Sequence, residues 1–373
     1  MHFFLMNEFL LSAPLIIYVG YRLRKLFARR LFKNLSTLLY VFLILAYPLS
    51  EFLSHDAGGP STRLLMLAGG YALPTLLYLV LFVVLADLAL GLLRLTRVVS
   101  KATVLSPKFR RWRLAVYLFV PAAVVAWGIY NFYHLRVKEY SIQVPRRSSS
   151  IARLKVVFAA DFHLGERTAA GFMERFVNLV NAQKPDVVLI GGDVFEGDRR
   201  NEVSEERQAE FRRLRAAYGV FGVPGNHERY GGNRTDFFAK AGIKLLQDEV
   251  VRVDEAFTLA GRKDGRSGNG NRMSIPELLS GTPDDLPVIL LDHRPTDLEN
   301  ASRSIADIQL SGHTHHGQLF PANLVTQHQY ELDWGYKKKR NTHIFVTSGV
   351  QLWGPPVRTV GSSEILVIDV TFR

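Results

Sequence analysis

Leu154-Lys155-Val156-Val157-Phe158-Ala159-Ala160-Asp161-Phe162-His163 joins an apolar run to a D-x-H group, and four further runs end in a similar way. Val187 to Ile190 is followed by Gly191-Gly192-Asp193, and Val220 to Val223 by Gly225-Asn226-His227-Glu228. Val288 to Leu291 leads to His293, and Ile308 to Leu310 leads to Gly312-His313-Thr314-His315. Near-continuous apolar runs of this length read as strands of a parallel or mixed α/β sheet covered on both faces. Residues that immediately follow such strands converge at one sheet edge, the usual place for a site. Two Asp, one Asn and five His are therefore expected to meet, in a chain without Cys.

Imidazole nitrogen with carboxylate or amide oxygen suits Mn, Fe or Zn better than thiolate-seeking metals. Eight candidate donors around one central carboxylate favour two divalent ions over one. Two cations about 3.5 to 4 Å apart lower the pKa of a bridging water and neutralise a phosphoryl group. A protein nucleophile is then unnecessary, and the chain has no G-x-S-x-G elbow, P-loop or catalytic Cys to supply one. A lone D-x-H or G-D carries little weight, being common by chance as a cap or a satisfied core His. Five such blocks in order carry far more.

The order D-x-H, G-D, G-N-H-E, H, G-H-x-H resembles the calcineurin-like metallophosphoesterase superfamily, with all five blocks present. The resemblance implies a first metal on Asp161, His163, Asp193 and His315, and a second on Asp193, Asn226, His293 and His313, with Asp193 bridging. It implies that His227 lies near the scissile phosphate as acid or transition-state stabiliser, and that the fold is a four-layer α/β sandwich of two facing mixed sheets. The expected reaction is hydrolysis of a phosphomonoester or phosphodiester by a metal-bridging hydroxide. His293 is a lone His, and its neighbour Asp292 reads as a supporting or capping group. His316 is expected to point to solvent, and His328 and His343 to have surface or pairing roles. Arg262 to Arg272 reads as a solvated loop, and Lys337 to Arg340 as either an exposed turn or a contact for anionic groups.

The chain's formal charge of +12 is unevenly placed. Residues 1–138 hold sixteen basic and four acidic side chains, and residues 139–373 hold thirty of each. The second part is neutral, so the high pI is no argument for nucleic-acid binding, which needs clustered cations. The basic residues punctuate apolar runs at 3–20, 35–53, 64–93 and 114–132, each near or above the length that crosses a bilayer core of about 30 Å. About four transmembrane helices are expected, the third over-long, with Pro74 inside it and Asp87 near one end.

These readings divide the chain into a multi-span all-α membrane domain at 1–135 and a metallophosphoesterase domain at 136–373. Six basic residues lie between Arg22 and Lys33 and seven between Arg94 and Arg113, so those loops are expected in the cytoplasm and the catalytic domain outside it. The domain starts within a few residues of the last span, through an edge strand at Tyr140 to Val144. A lipid-linked phosphoester, presented by membrane lipids, is therefore the favoured substrate class over a small soluble one. Two rival readings are a metal-binding regulatory module without turnover and a channel or transporter with an appendage. Intact motif blocks argue against the first, and the scarcity of ionisable groups inside the spans argues against the second.

Overall fold

The computed structural model describes residues 2–54, 59–196, 205–230, 235–265 and 272–373, with side chains from residue 12 onward other than those of 229, 230 and 235. Packing divides the chain into two units, Met1–Ile129 and Tyr130–Arg373.

The first unit is helical: α1 His2–Leu26, α2 Arg30–Ser54, α3 Pro60–Leu95, the short α4 Lys101–Leu105, and most of α5 Pro107–Tyr133. Among the described residues, α2, α3 and α5 are long and apolar enough to cross a membrane. The span expected at 3–20 falls within α1, where the side chains of 2–11 lie outside the described residues. At 36 residues α3 is over-long as expected, roughly 54 Å at helical rise. Close approach of α2 and α3 depends on Gly69, where a Cβ would lie 2.1 Å from Ser50 Oγ. Small residues allow such contacts between apolar helices that lack a hydrophobic drive to associate. Asp87 is not solitary: it accepts hydrogen bonds from Arg22 Nε at 2.5 Å, Arg22 Nη2 at 2.6 Å, Tyr18 Oη at 2.9 Å and the Tyr117 hydroxyl. A carboxylate within a span is costly unless paired, and this one ties α1, α3 and α5 together.

Among its described residues the second unit contains twelve strands in two six-stranded sheets. Its elements run β1 Arg136–Val144, β2 Arg153–Ala159, α6 Phe172–Ala182, β3 Val187–Ile190, α7 Glu205–Phe211, β4 Val220–Gly222, α8 His227–Tyr230, α9 Thr235–Lys240 and β5 Lys244–Leu245. They continue as β6 Glu249–Val253, β7 Phe257–Gly261, α10 Ile275–Leu278, β8 Val288–Leu291, α11 Leu298–Arg303, β9 Ile308–Ser311, α12 Ala322–Gln329, β10 Gly335–Lys339, β11 Thr342–Val346 and β12 Glu364–Phe372. The first sheet has the order β1-β12-β2-β3-β4-β5 and the second β10-β11-β9-β8-β7-β6. Each is mixed, with antiparallel β12–β2 pairing in one and antiparallel β10–β11 and β6–β7 pairing in the other.

Strand alternation explains the layers. Val156, Phe158 and Leu189 face the core shared by the two sheets, where they join Leu259, Ile289 and Leu310. Their neighbours Val157, Val188 and Ile190 face the other way, onto Phe176 of α6, Phe211 of α7 and Phe237 of α9. Behind the second sheet, Val288 and Leu290 pack on Ile275, Leu278 and Ala301 of α10 and α11. Both faces of β3 and β8 are covered, which is why their sequences are apolar without a break, whereas β2 carries Arg153 and Lys155 at its less buried start. The result is the expected four-layer α/β sandwich.

One local expectation changes. Lys337 to Lys339 lie in strand β10 and not in a turn; Lys337 and Lys339 pair with Glu331, and Lys339 and Arg340 with Glu299. Three of the four cations in the run thus have fixed acidic partners.

Candidate metal centre

Five loops at the carboxyl ends of β2, β3, β4, β8 and β9 bring the motif blocks together. Ligand atoms of Asp161, His163 and His315 lie within 4.8 Å of one another, as do those of Asp193, His293 and His313. A third group of the same kind joins His163 and Asp193 to His227. Asp193 thus stands between the two halves, with Oδ2 at 3.8 Å from His163 Nε2 and 3.2 Å from His293 Nε2.

The backbone is bent to make this possible. Asp161, His163, Asp193, His313 and His315 have φ of 59°, 42°, 52°, 73° and 50°, in the left-handed region that non-glycine residues rarely enter. Each such residue costs roughly 1–3 kcal/mol, and clusters of them mark sites held by their surroundings. The motif glycines have a steric reason. A Cβ at Gly225 would sit 2.1 Å from Asp193 Oδ1, and one at Gly312 would sit 2.4 Å from Asp161 Oδ2. Both carboxylates lie directly against an α-carbon of another block.

Supporting residues complete the cradle. Buried Glu228 accepts from the backbone N–H of Asp193 at 2.9 Å, Val194 at 2.7 Å and Gly225 at 2.6 Å, clamping two blocks in register. His293 Nδ1 lies 2.7 Å from the carbonyl of Gly191 and must donate to it, which leaves Nε2 as the atom facing Asp193. His227 Nδ1 likewise donates to the carbonyl of Glu196 at 2.7 Å, while the His227 N–H donates to Asp193 Oδ1 at 2.8 Å. The Glu196 carboxylate accepts from Gly354 N at 2.8 Å and lies 3.2 Å from His163 Nδ1.

The donor set fits cations. Asn226 Oδ1 and His293 Nε2 are buried at the site yet have no hydrogen-bond partner. An unsatisfied buried polar atom costs about 1–3 kcal/mol, so both call for a further partner. His163 Nε2 and His315 Nε2 face each other at 3.2 Å. Two ligands on one ion, each bonded at about 2.1 Å, stand roughly that far apart.

Electrostatics point the same way. Burial, joined by the nearby Asp193 charge, pushes Asp161 up to about 6. Burial also opposes ionisation of Asp193, but His293 and His227 outweigh it and hold that carboxyl well below the usual range. Burial disfavours a proton on His293, yet Asp193, Asp161 and Asp264 overcome it and raise the imidazole to about 10. Burial, with His293 and Arg294 close by, depresses His313 to about 2; burial and His163 depress His315. The pair of carboxylates demands positive charge, and His313 and His315 are neutral as ligands must be.

All eight sequence-predicted residues reach this region, and others join them. Asp292 is a buried supporting group: it accepts from Arg262 Nη1 at 2.8 Å, from Arg272 and from the Arg294 N–H. Arg294, next to His293, pairs with buried Asp264. Arg262, Asp264 and Arg272 are therefore held in ion pairs instead of being solvated, while Gly265 is exposed and residues 266–271 lie outside the described residues. His316 does not point to solvent; it is buried, with Nδ1 at 2.8 Å from Asp333 Oδ2 and its ring tilted on Trp334. His343 takes a pairing role with the Tyr336 hydroxyl and the Gln143 carbonyl, and His328 is exposed.

Sequence reading missed Glu196, the clamp at Glu228, and fully buried Arg358, whose Nη2 donates to the Gln351 carbonyl at 2.9 Å. Burial lowers Arg358 to about 10, which still leaves it a cation at neutral pH. Its loop holds Asp161 in place: Val350 N and Gln351 N donate to the carbonyls of Ala160 and Asp161 at 3.0 Å. Only the Gly349-Val350-Gln351 run after β11 hinted at a turn there.

The sequence model of the family described as calcineurin-like phosphoesterase matches residues 154–317. An uncharacterized metallophosphoesterase of Aquifex aeolicus is 30% identical over 261 residues, covering 68% of this chain and 98% of the relative. The transmembrane protein with metallophosphoesterase domain of Bos taurus is 32% identical over 248 residues, which span 61% of this chain but only 55% of the bovine protein. An uncharacterized metallophosphoesterase of Helicobacter pylori is 33% identical over 236 residues, 62% of each chain.

Proposed function

Since the chain belongs to the calcineurin-like metallophosphoesterase family, we propose that it is a membrane-anchored phosphoesterase that uses two divalent cations and acts on a lipid-linked phosphomonoester or phosphodiester. In this reading residues 1–135 form the membrane domain and 136–373 the catalytic domain. The carrying observation is the pair of His/Asp groups on either side of Asp193, with buried donor atoms left unpartnered. Asp161, His163, Asp193 and His315 would hold one cation, and Asp193, Asn226, His293 and His313 the other. All-nitrogen and oxygen donors favour Mn, Fe or Zn. Bound cations would activate water and neutralise charge on the phosphoryl group.

The protein's own groups do the rest. His227 has Nδ1 committed as a donor to the Glu196 carbonyl, so Nε2 is the ring atom that exchanges its proton. From there it donates to a phosphoryl oxygen and hands a proton to the departing oxygen, a general-acid role. The His227 backbone bond to Asp193 keeps that ring in register with the central carboxylate. Glu228 fixes both loops, so little reorganisation is needed as charge develops.

A lipid-linked substrate is supported by the chain's economy. Helix α5 ends at Tyr133 and β1 begins at Arg136. So short a connection raises the local concentration of membrane-borne substrate and does nothing comparable for a diffusing one. Zero net charge over 139–373 also gives no long-range steering toward soluble polyanions. The test compares the full chain in vesicles with a piece spanning Tyr130–Arg373, each stripped by chelator and reloaded with Mn, Zn, Fe or Mg. Activity is expected only after reloading, and a lipid phosphoester should lose far more than a soluble diester when the spans are removed. No hydrolysis with any metal would leave a binding module; equal losses would remove the lipid preference.

Placement of the catalytic domain outside the cytoplasm follows from the basic loops. Reporters fused after residues 60 and 373 should behave as extracytoplasmic, and one fused near residue 103 as cytoplasmic. The inverse pattern would reverse the assignment.

A further inference from the structure

From Arg136 onward, six large apolar side chains are exposed among the described residues, and three of them, Phe320, Leu324 and Val325, fall within six consecutive positions. They are 43%, 55% and 64% exposed. Leu324 and Val325 are adjacent in the first turn of α12, and Phe320 lies in the chain that leads into that turn. The whole stretch from Gly317 to Tyr330 contains no Asp, Glu, Lys or Arg, although thirty residues of each sign are spread over 139–373. Exposed Gln327, His328 and Gln329 follow in the next turn, so the apolar surface is a cluster at the start of α12, and such a cluster with no acidic residue, Lys or Arg beside it marks a contact.

This helix is clamped to the candidate metal centre by its polar side. Gly317 presses on the α12 backbone, where a Cβ would come 2.3 Å from Asn323 N. Thr326 Oγ1 donates to Asp333 Oδ2 at 2.7 Å, the same oxygen that His316 Nδ1 meets at 2.8 Å. Tyr330, just past the helix, has its ring 6.4 Å from that of His313. Two further bonds join the neighbouring loop that carries exposed Trp353: Gln318 Nε2 to the Pro355 carbonyl at 2.8 Å, and Phe320 N to Thr359 Oγ1 at 2.9 Å. Movement of α12 is thus tied to the turn that carries His315.

We infer that Phe320, Leu324 and Val325 form an interfacial contact that dips into the acyl edge of the bilayer beside the site, where a lipid phosphoester would be drawn from the membrane. The chain supplies the bilayer itself, through three helices apolar enough to span it and a connection from Tyr133 to Arg136. Absence of charge matches a surface where each buried charge is penalised, whereas a protein interface is normally rimmed by polar and charged groups. With no Lys or Arg in the segment, insertion does not depend on anionic lipid, unlike that of basic amphipathic helices.

The inference rests on the membrane-anchored phosphoesterase reading, but its first test needs no turnover. Because the chain has no Cys, Leu324→Cys and Val325→Cys each give a single labelling point, with Glu174→Cys on the exposed face of α6 as control. Full chains carrying an environment-sensitive dye are placed in pure phosphatidylcholine vesicles. Labels at 324 and 325 should shift to the blue and be quenched by nitroxide on the lipid acyl chains, while the label at 174 stays open to aqueous iodide. Iodide access at all three sites overturns the inference. So does shielding from iodide without nitroxide quenching, which would assign this face to a second copy or another protein. In a second arm, the double variant Leu324→Glu, Val325→Glu should hydrolyse a vesicle phospholipid roughly tenfold or more slowly and bis(p-nitrophenyl) phosphate at the unchanged rate. Equal losses would overturn a role in substrate delivery. A wild-type chain that cleaves neither compound would refute the phosphoesterase reading while leaving the labelling result to decide the membrane contact.

Discussion

Asp193→Asn is expected to empty the site and abolish nearly all hydrolysis, a loss of roughly a thousandfold or more, since replacing even an outer-shell partner of a metal ligand costs about 10–100-fold. Asp193 is the residue common to both proposed cation sets, and it is also the group that draws positive charge to His293. An amide keeps the size and can still accept from the His227 N–H, so the fold should survive. Metal content by elemental analysis beside the rate decides the matter. Near-wild-type activity, or lost activity with both metals retained, would remove Asp193 from the bridging role.

His227→Ala is expected to behave in the opposite way, keeping both metals and losing turnover by about 10²–10⁴-fold, the usual scale for a positioned proton donor. His227 is absent from both proposed ligand sets although it lies within reach of His163 and Asp193. Its ring sits edge-on to His163, with centroids 4.6 Å apart, close enough to act on a substrate held there. A fall in kcat with little change in metal stoichiometry supports the assignment; an emptied site would make His227 a ligand instead. Read together, the two variants separate holding the cations from moving the proton.

Legibility differed from residue to residue for physical reasons. Candidate ligands were readable because each follows an apolar strand, and strands of one sheet end at one edge whatever their order. His316 was misread because its neighbour-by-neighbour sequence has no sign of Asp333, 17 residues on, which accepts its proton. Lys337 to Arg340 looked unpartnered because Glu299 and Glu331, which pair with Lys337, Lys339 and Arg340, come from elsewhere in the chain. Arg262 and Arg272 looked like solvated loop cations because their shared acceptor, Asp292, stands on β8's far side in sequence.

The sequence alone therefore determined the layered α/β class, the apolar spans ahead of it and the residues that gather at the strand ends, since these follow from local periodicity and from where strands stop. Tertiary structure alone decided which groups those residues lean on. Glu228 clamping two loops, Glu196 taking the His227 proton donor, and the 349–351 loop holding Asp161 are contacts between segments far apart in the chain. So is the seating of α12, whose exposed apolar cluster became distinctive only once the helix was seen fastened to the turn of His315 and His316. Periodicity reports which side of an element is apolar, but a partner's identity depends on register and packing that no short stretch of sequence encodes.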